Sequence, residues 1–317
     1  MPKVNLACGD YVAEQHRANL QEGNWEPVAD HLESLRDWDE RDFYISAITR
    51  WPGFPVWIQA WTEKRPDSPT AWVVSGIQSL DWAWEARGEG TADTVSDVAA
   101  EEFEERLEQA EEQLHRAAEF APEDPAPWAH LITAAMGLGA DLDDCFSYLQ
   151  EAKARYPHHH EAHANMVKAL SGKWGGSSRK MFKFVFDTCA ELPEGHELQV
   201  LVPYAHLEQM LDYDVGGEGL NSMLHFHRKQ TRREIMDAAA RSIHSKAYRP
   251  TKMSPIVRAT FAYVFCKMCR FAIAAPEFRL MGPNIFGPWR THHPGAPVVN
   301  YVIVRALAQS AGWLWRT

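Results

Sequence analysis

Pro122-Glu-Asp-Pro-Ala-Pro-Trp-Ala-His130 is the stretch that decides the fold. A proline is followed, six residues on, by a large aromatic. The same offset joins Pro66 to Trp72, Pro157 to His163 and Pro193 to Gln199. The four prolines are 56, 35 and 36 residues apart. A repeating helical hairpin of about 34 residues has this rhythm, with proline closing one hairpin and a bulky residue opening the next.

Side chains upstream keep the same period. Ala110, Leu114 and Ala117 lie 12, 8 and 5 residues before Pro122. Cys145, Leu149 and Ala152 hold those offsets before Pro157, and Met181, Val185 and Thr188 before Pro193. Steps of four and three put each set on one helix face, where small residues admit a neighbouring helix. On these positions residues 54–210 resemble the tetratricopeptide (TPR) superfamily in a degenerate form. That resemblance implies an all-α right-handed superhelix, an α-solenoid of helical hairpins. His163 and Gln199 stand where the family has an aromatic. The 56-residue interval implies an insertion around Arg87–Ala100 and a longer following helix.

Composition fits such a fold. Apolar residues make up 45% of 317, enough for a sizeable core. No apolar run reaches membrane-span length, and no basic-then-apolar leader opens the chain, so a cytoplasmic, membrane-free setting is expected. Five scattered cysteines make no disulfide framework. Charge is uneven: residues 1–218 hold 17 Lys/Arg and 40 Asp/Glu, residues 219–317 hold 15 and 3. The expected organisation is N-terminal hairpins over 1–65, acidic repeats over 66–218, and a basic helical region over 219–317. The basic region either packs on the acidic one or meets an anionic partner.

Helices are expected nearly throughout, with Asp39 a cap for residues 39–50, one long helix over Pro255–Ala274, wandering coil over Met281–Ala296 and no strand. Several short motifs bear on chemistry. In His158-His-His-Glu-Ala-His163, His159 and His163 share a face, yet the glutamate is misplaced for a zincin site, so no metal is expected. His163 then replaces the packing aromatic. Cys266-Lys-Met-Cys269 lacks a second pair and reads as two small residues on one buried helix face. Lys173-Trp-Gly-Gly-Ser177 reads as a tight turn, with an anion site on its amides as the alternative. No cofactor motif is present.

Trp82-Ala-Trp-Glu-Ala-Arg-Gly88, Pro127-Trp-Ala-His130, Lys173–Ser177, Ala205-His-Leu-Glu208 and Gly287-Pro-Trp-Arg290 together resemble a family of uncharacterised bacterial TPR-like proteins. That likeness implies architecture and a bacterial intracellular setting, with no activity attached. By the TPR likeness a ligand would lie along the first helices, on Thr70, Ile77 and Asp81, then His130, Thr133 and Met136, then Glu161, Lys168 and Ser171, then Tyr204 and Glu208. The leading expectation is a scaffold or adaptor for a peptide or protein segment. A second is an enzyme or small-molecule receptor using His130, His163, Lys173, His206 and Glu208. A third is nucleic-acid binding through Arg228–Arg258, which the lack of interleaved stacking aromatics disfavours.

Overall fold

The computed structural model describes residues 2–88, 96–291 and 297–314. Among them the protein is all-helical, with seventeen α-helices and one pair of two-residue strands. The chain divides into two compact units: residues 11–176, and residues 1–10 together with 177–317. The charge break at 218 and the break in compactness at 176 therefore do not coincide.

The unit of residues 11–176 holds α1 (Tyr11–Gln21), α2 (Glu26–Ser34), α3 (Trp38–Ile48), α4 (Val56–Lys64), α5 (Pro69–Arg87), α6 (Asp97–Phe120), α7 (Ala126–Gly137), α8 (Leu142–Arg155) and α9 (His160–Ala169). Pro66, Pro122 and Pro157 each stand two residues past the end of α4, α6 and α8. Proline cannot donate to a preceding helical turn, so it marks where each helix stops. Trp72, Trp128 and His163 fall in the first turn or so of α5, α7 and α9. Ala110, Leu114, Ala117, Cys145, Leu149 and Ala152 are all buried.

α5 and α6 form the long hairpin. Arg116 stacks on Trp72 with its guanidinium carbon 4.1 Å from the ring centroid, and Arg106 stacks on Trp82 at 3.9 Å. Moving ten residues along α5 moves ten residues back along α6, so the two stacks fix one antiparallel register. Gly76 makes the close approach feasible: a Cβ there would lie 2.6 Å from Leu114 Cγ. Leu80, Ala83, Leu107, Ala110, Leu114, Leu131 and Ala134 form the core between α5, α6 and α7. Ser79 Oγ donates to Gln113 Oε1 inside this interface, 2.8 Å away.

The other unit holds β1 (Lys3–Val4), α10 (Ser178–Glu191), α11 (Leu201–Val215), α12 (Gly219–His225), α13 (Lys229–Arg241), α14 (Ser254–Lys267), α15 (Phe271–Met281), β2 (Asn284–Ile285), α16 (Pro288–Thr291) and α17 (Pro297–Leu314). Pro193 again stands two residues past a helix end, that of α10, and Met181 and Val185 are buried, with Thr188 partly so. Three expectations are corrected here. The helix expected over Pro255–Ala274 breaks in two, because Cys269 adopts a left-handed backbone (φ 57°) after α14. The coil expected over Met281–Ala296 contains β2 and α16, and β2 pairs in parallel with β1; residues 292–296 lie outside the described ones. The Cys266 and Cys269 pair does not share a buried face: Cys266 is half-buried at the end of α14 and Cys269 is exposed beyond it.

Two buried hubs organise this unit. Glu197 accepts hydrogen bonds from the hydroxyls of Tyr248 (2.6 Å), Thr251 and Ser254. Tyr301 packs edge to face with both Phe278 and Trp289, which tilt against each other, and Trp289 Nε1 donates to the Ala259 carbonyl at 3.2 Å. No helix among the described residues is long and apolar enough to cross a membrane.

Candidate functional site

The start of α9 lacks a cap of its own, since the His159 side chain takes no backbone N–H there. The cap comes from α3. Asp37 caps α3 by accepting the Glu40 N–H at 2.8 Å, which leaves Asp39 to accept the His160 N–H at 2.9 Å. This corrects the expectation that Asp39 caps its own helix. Asp42, three residues on and hence on the same face of α3, places Oδ2 3.1 Å from His159 Nε2. His159 is 0% exposed and Asp42 6%. Between them on α3, Arg41 forms a buried ion pair with Asp124 and donates to Thr70 Oγ1 at 3.2 Å.

The electrostatics of this cluster are strongly coupled. Burial pushes the Asp42 carboxyl up, but the His159 imidazolium beside it prevails, and its pKa falls below the ordinary value. Burial likewise pulls His159 down, while Asp42, then Asp39 and Asp124, pull it up and hold the net shift upward. Burial raises Asp39 despite His159 and His160. For Glu161 burial is outweighed by His130, Lys168 and His160, and its pKa is lowered. Asp39, Asp42, His130, His159, His160 and Glu161 thus form one polar group between α3, α7 and α9. Asp39 and Glu161 are half-exposed and the others buried. No group of three or more His, Cys, Asp or Glu side chains among the described residues is arranged to hold a metal ion.

The expected ligand-facing stripe of α5 is occupied by the chain itself. Thr70 receives Arg41, and Asp81 faces Arg50 Nε at 4.0 Å. On the same stripe, Gln78 Oε1 accepts the Trp51 N–H (3.2 Å), while its Nε2 donates to the carbonyls of Trp51 (2.8 Å) and Gly53 (2.7 Å). Two turns further, Glu85 accepts the Gly53 N–H at 3.0 Å. Arg50 is held in the left-handed region at φ 65° as the chain turns into this contact. Residues 41–53 therefore lie along α5 from its first turn to its last.

The remaining expected residues are distributed as follows. His130 is buried beside Asp42 and Glu161, Thr133 is half-buried and Lys168 exposed. Ser171 is buried and donates to the Lys168 carbonyl at 2.7 Å, closing α9. His163 is buried and packs as a core residue; its Nδ1 donates to the His159 carbonyl at 2.8 Å, and burial pulls its pKa down to about 4. Lys173 is half-buried, in a turn that satisfies its own amides: Gly175 N–H donates to Gly172 and Gly176 N–H to Ser171. Those amides are used and do not form the anion site considered above.

Tyr204, His206 and Glu208 belong to the other unit. His206 and Glu208 diverge on α11, and the partners of His206 come from elsewhere. His206 Nε2 lies 3.1 Å from Glu234 Oε2, and its Nδ1 lies 3.0 Å from His225 Nε2. A neutral His206 that donates to Glu234 must accept at Nδ1, so His225 Nε2 carries the proton between the rings. Phe182 packs on His206, and burial first, then His206 when that ring is protonated, pulls the His225 pKa down to about 3.

The basic stretch Arg228–Arg258 is largely committed within its own unit. Arg228 bonds Tyr213 and Asn221, Arg232 the Met268 carbonyl, Lys252 Asp10, and Arg258 Glu277. Sequence reasoning missed Asp42, Gln78, His225 and Glu234. Asp39 and Asp42, three apart at a helix start, and Gln78, polar inside an apolar run, were the available signals. No protein-family model and no curated protein matches the chain.

Proposed function

We propose that the protein is a TPR-like α-solenoid scaffold that holds an extended peptide or protein segment along its first helices. One observation carries this reading: the α5 face already grips a length of main chain, through Gln78 and Glu85, in the manner such a face would grip a partner. Side-chain amides that pair with both N–H and C=O of a passing strand recognise backbone without demanding a sequence. The corresponding faces of α7 and α9 present Thr133, Glu161 and Lys168 at least partly to solvent.

The test is capture from a bacterial lysate with the purified chain, comparing wild type with Thr133→Trp, which blocks the α7 face, and with Glu108→Lys on the exposed side of α6. A protein recovered in stoichiometric amount by wild type and Glu108→Lys but not by Thr133→Trp supports the scaffold. A bound metabolite with no protein partner overturns it. A second reading, catalysis or small-ligand binding, is favoured by a separate observation, the Glu234–His206–His225 chain, whose last ring nitrogen, His225 Nδ1, is buried without a hydrogen-bond partner among the described residues.

A further inference from the structure

The cluster between α3, α7 and α9 sets three carboxylates against three imidazoles, His130, His159 and His160, and leaves one carboxylate poorly served. Asp39, Asp42 and Glu161 bring three carboxylates. His159 pairs with Asp42, His130 and His160 act on Glu161, and Lys168 stands exposed beside Glu161. Arg41, on the same helix, is taken by Asp124 and Thr70. His130 is 6% exposed, and its Nε2 has no hydrogen-bond partner among the described residues. Both Asp42 oxygens are buried and accept no hydrogen bond there beyond the His159 ion pair. Buried polar groups in native proteins find partners, so the unfilled Asp42 oxygens and His130 Nε2 mark a place for a further polar group.

The chemistry of that group follows from the acceptors. Carboxylates exclude an anion, and the side chains do not converge as metal ligands do. The acceptors come from different helices, which suits a planar fork of several N–H groups better than a single ammonium point. The neighbouring Arg41 shows the same region seating a guanidinium on a carboxylate and a hydroxyl. Half-exposed Asp39 and Glu161 leave a way in from solvent.

We propose that the Asp42–His130–Glu161 cluster is a binding pocket for a guanidinium group, contributed by an arginine of the bound segment or by a free small molecule. This rests on the scaffold reading only for where the arginine comes from. Arginine amide and the peptide Gly-Gly-Arg-Gly-Gly, titrated into the full chain by ligand-observed NMR, test it. Saturable binding is expected, weakened by about tenfold in Glu161→Gln, the loss of one charge-assisted contact. Lys168→Ala should tighten it, because the competing cation is gone, and Glu108→Gln should leave it unchanged. Glu161 and Lys168 lie at the solvent side, so neither variant depends on rescuing a collapsed core. Tighter binding of the peptide than of the amide assigns the guanidinium to a protein segment; the reverse assigns it to a small molecule. No saturable binding up to about 10 mM, weaker than a specific site requires, or binding indifferent to Glu161→Gln, overturns the pocket. If the pocket fails while Thr133→Trp still abolishes capture, the scaffold stands without it.

Discussion

Asp39 on α3 accepts the backbone N–H of His160 at 2.9 Å, so the first turn of α9 is closed by a residue 121 positions earlier in the chain. A local cap stabilises one helix. This one makes the start of α9 depend on α3 being in place. Replacing Asp39 by Ala should cost about 1 kcal/mol, the ordinary worth of a cap. Asp37→Ala should cost a similar amount but act on α3. Amide hydrogen exchange separates them: His160 exchanges faster in Asp39→Ala and not in Asp37→Ala. Equal His160 protection in both variants would show that the tertiary cap carries no energy.

The Asp42–His159 pair sets a pH window. His159 is held above its ordinary 6.5, so its contribution is fully present below 6.5 and lost as pH rises through the raised value. Asp42 is held below its ordinary 3.8, so its contribution is present above 3.8 and lost as pH falls through the lowered value. Both are complete between pH 3.8 and 6.5. Urea midpoints of wild type and His159→Gln should therefore differ most in that range and converge as the solution becomes alkaline. His163 works the other way: neutral when folded, with its pKa near 4, it costs the wild type stability as pH falls from 6.5 toward 4. His163→Gln should flatten that acid limb.

Gln78 is fully buried and makes three hydrogen bonds to the main chain of Trp51 and Gly53. Gln78→Ala leaves two carbonyls and an N–H without their partner and should cost about 2–4 kcal/mol. Gln78→Glu should be worse, since a carboxylate then faces two carbonyl oxygens. Chemical denaturation reads both. A loss of a few tenths of a kcal/mol for either would mean that water replaces the clamp without cost.

Arg50→Gly probes the turn that feeds this clamp. The left-handed backbone at φ 65° costs a residue with a Cβ about 1 kcal/mol, and glycine nothing. The Asp81 contact that would be lost is long, 4.0 Å, and partly exposed. Thermal denaturation should show the glycine variant as stable as wild type or more so, a rare gain from removing a side chain.

Much of the regular array was legible because proline and packing act locally. Pro66, Pro122, Pro157 and Pro193 mark helix ends by removing a donor, and Ala110, Leu114 and Ala117 mark a face by their size. Legibility failed where one part of the chain completes another. Asp39 looked like a local cap because its real partner is 121 residues away. Glu208, two residues from His206, diverges from it on α11, and the carboxylate that His206 meets is Glu234 from α13. The break after α14 was hidden because Cys269 takes a backbone normally given to glycine. Two-residue strands carry no periodicity to read.

The pairing of Lys3 and Val4 with Asn284 and Ile285 has a consequence in time rather than in space. On the ribosome the first ten residues emerge long before the strand they join. The whole compact unit of residues 11–176 can fold in that interval, as an insert within the other. The unit of residues 1–10 and 177–317 closes only when β2 has been made, and must then recruit a segment made long before it. That is a late, long-range step of the kind that folds slowly. Deleting residues 2–5 should accordingly leave the early folding phase of residues 11–176 intact and alter only the last one.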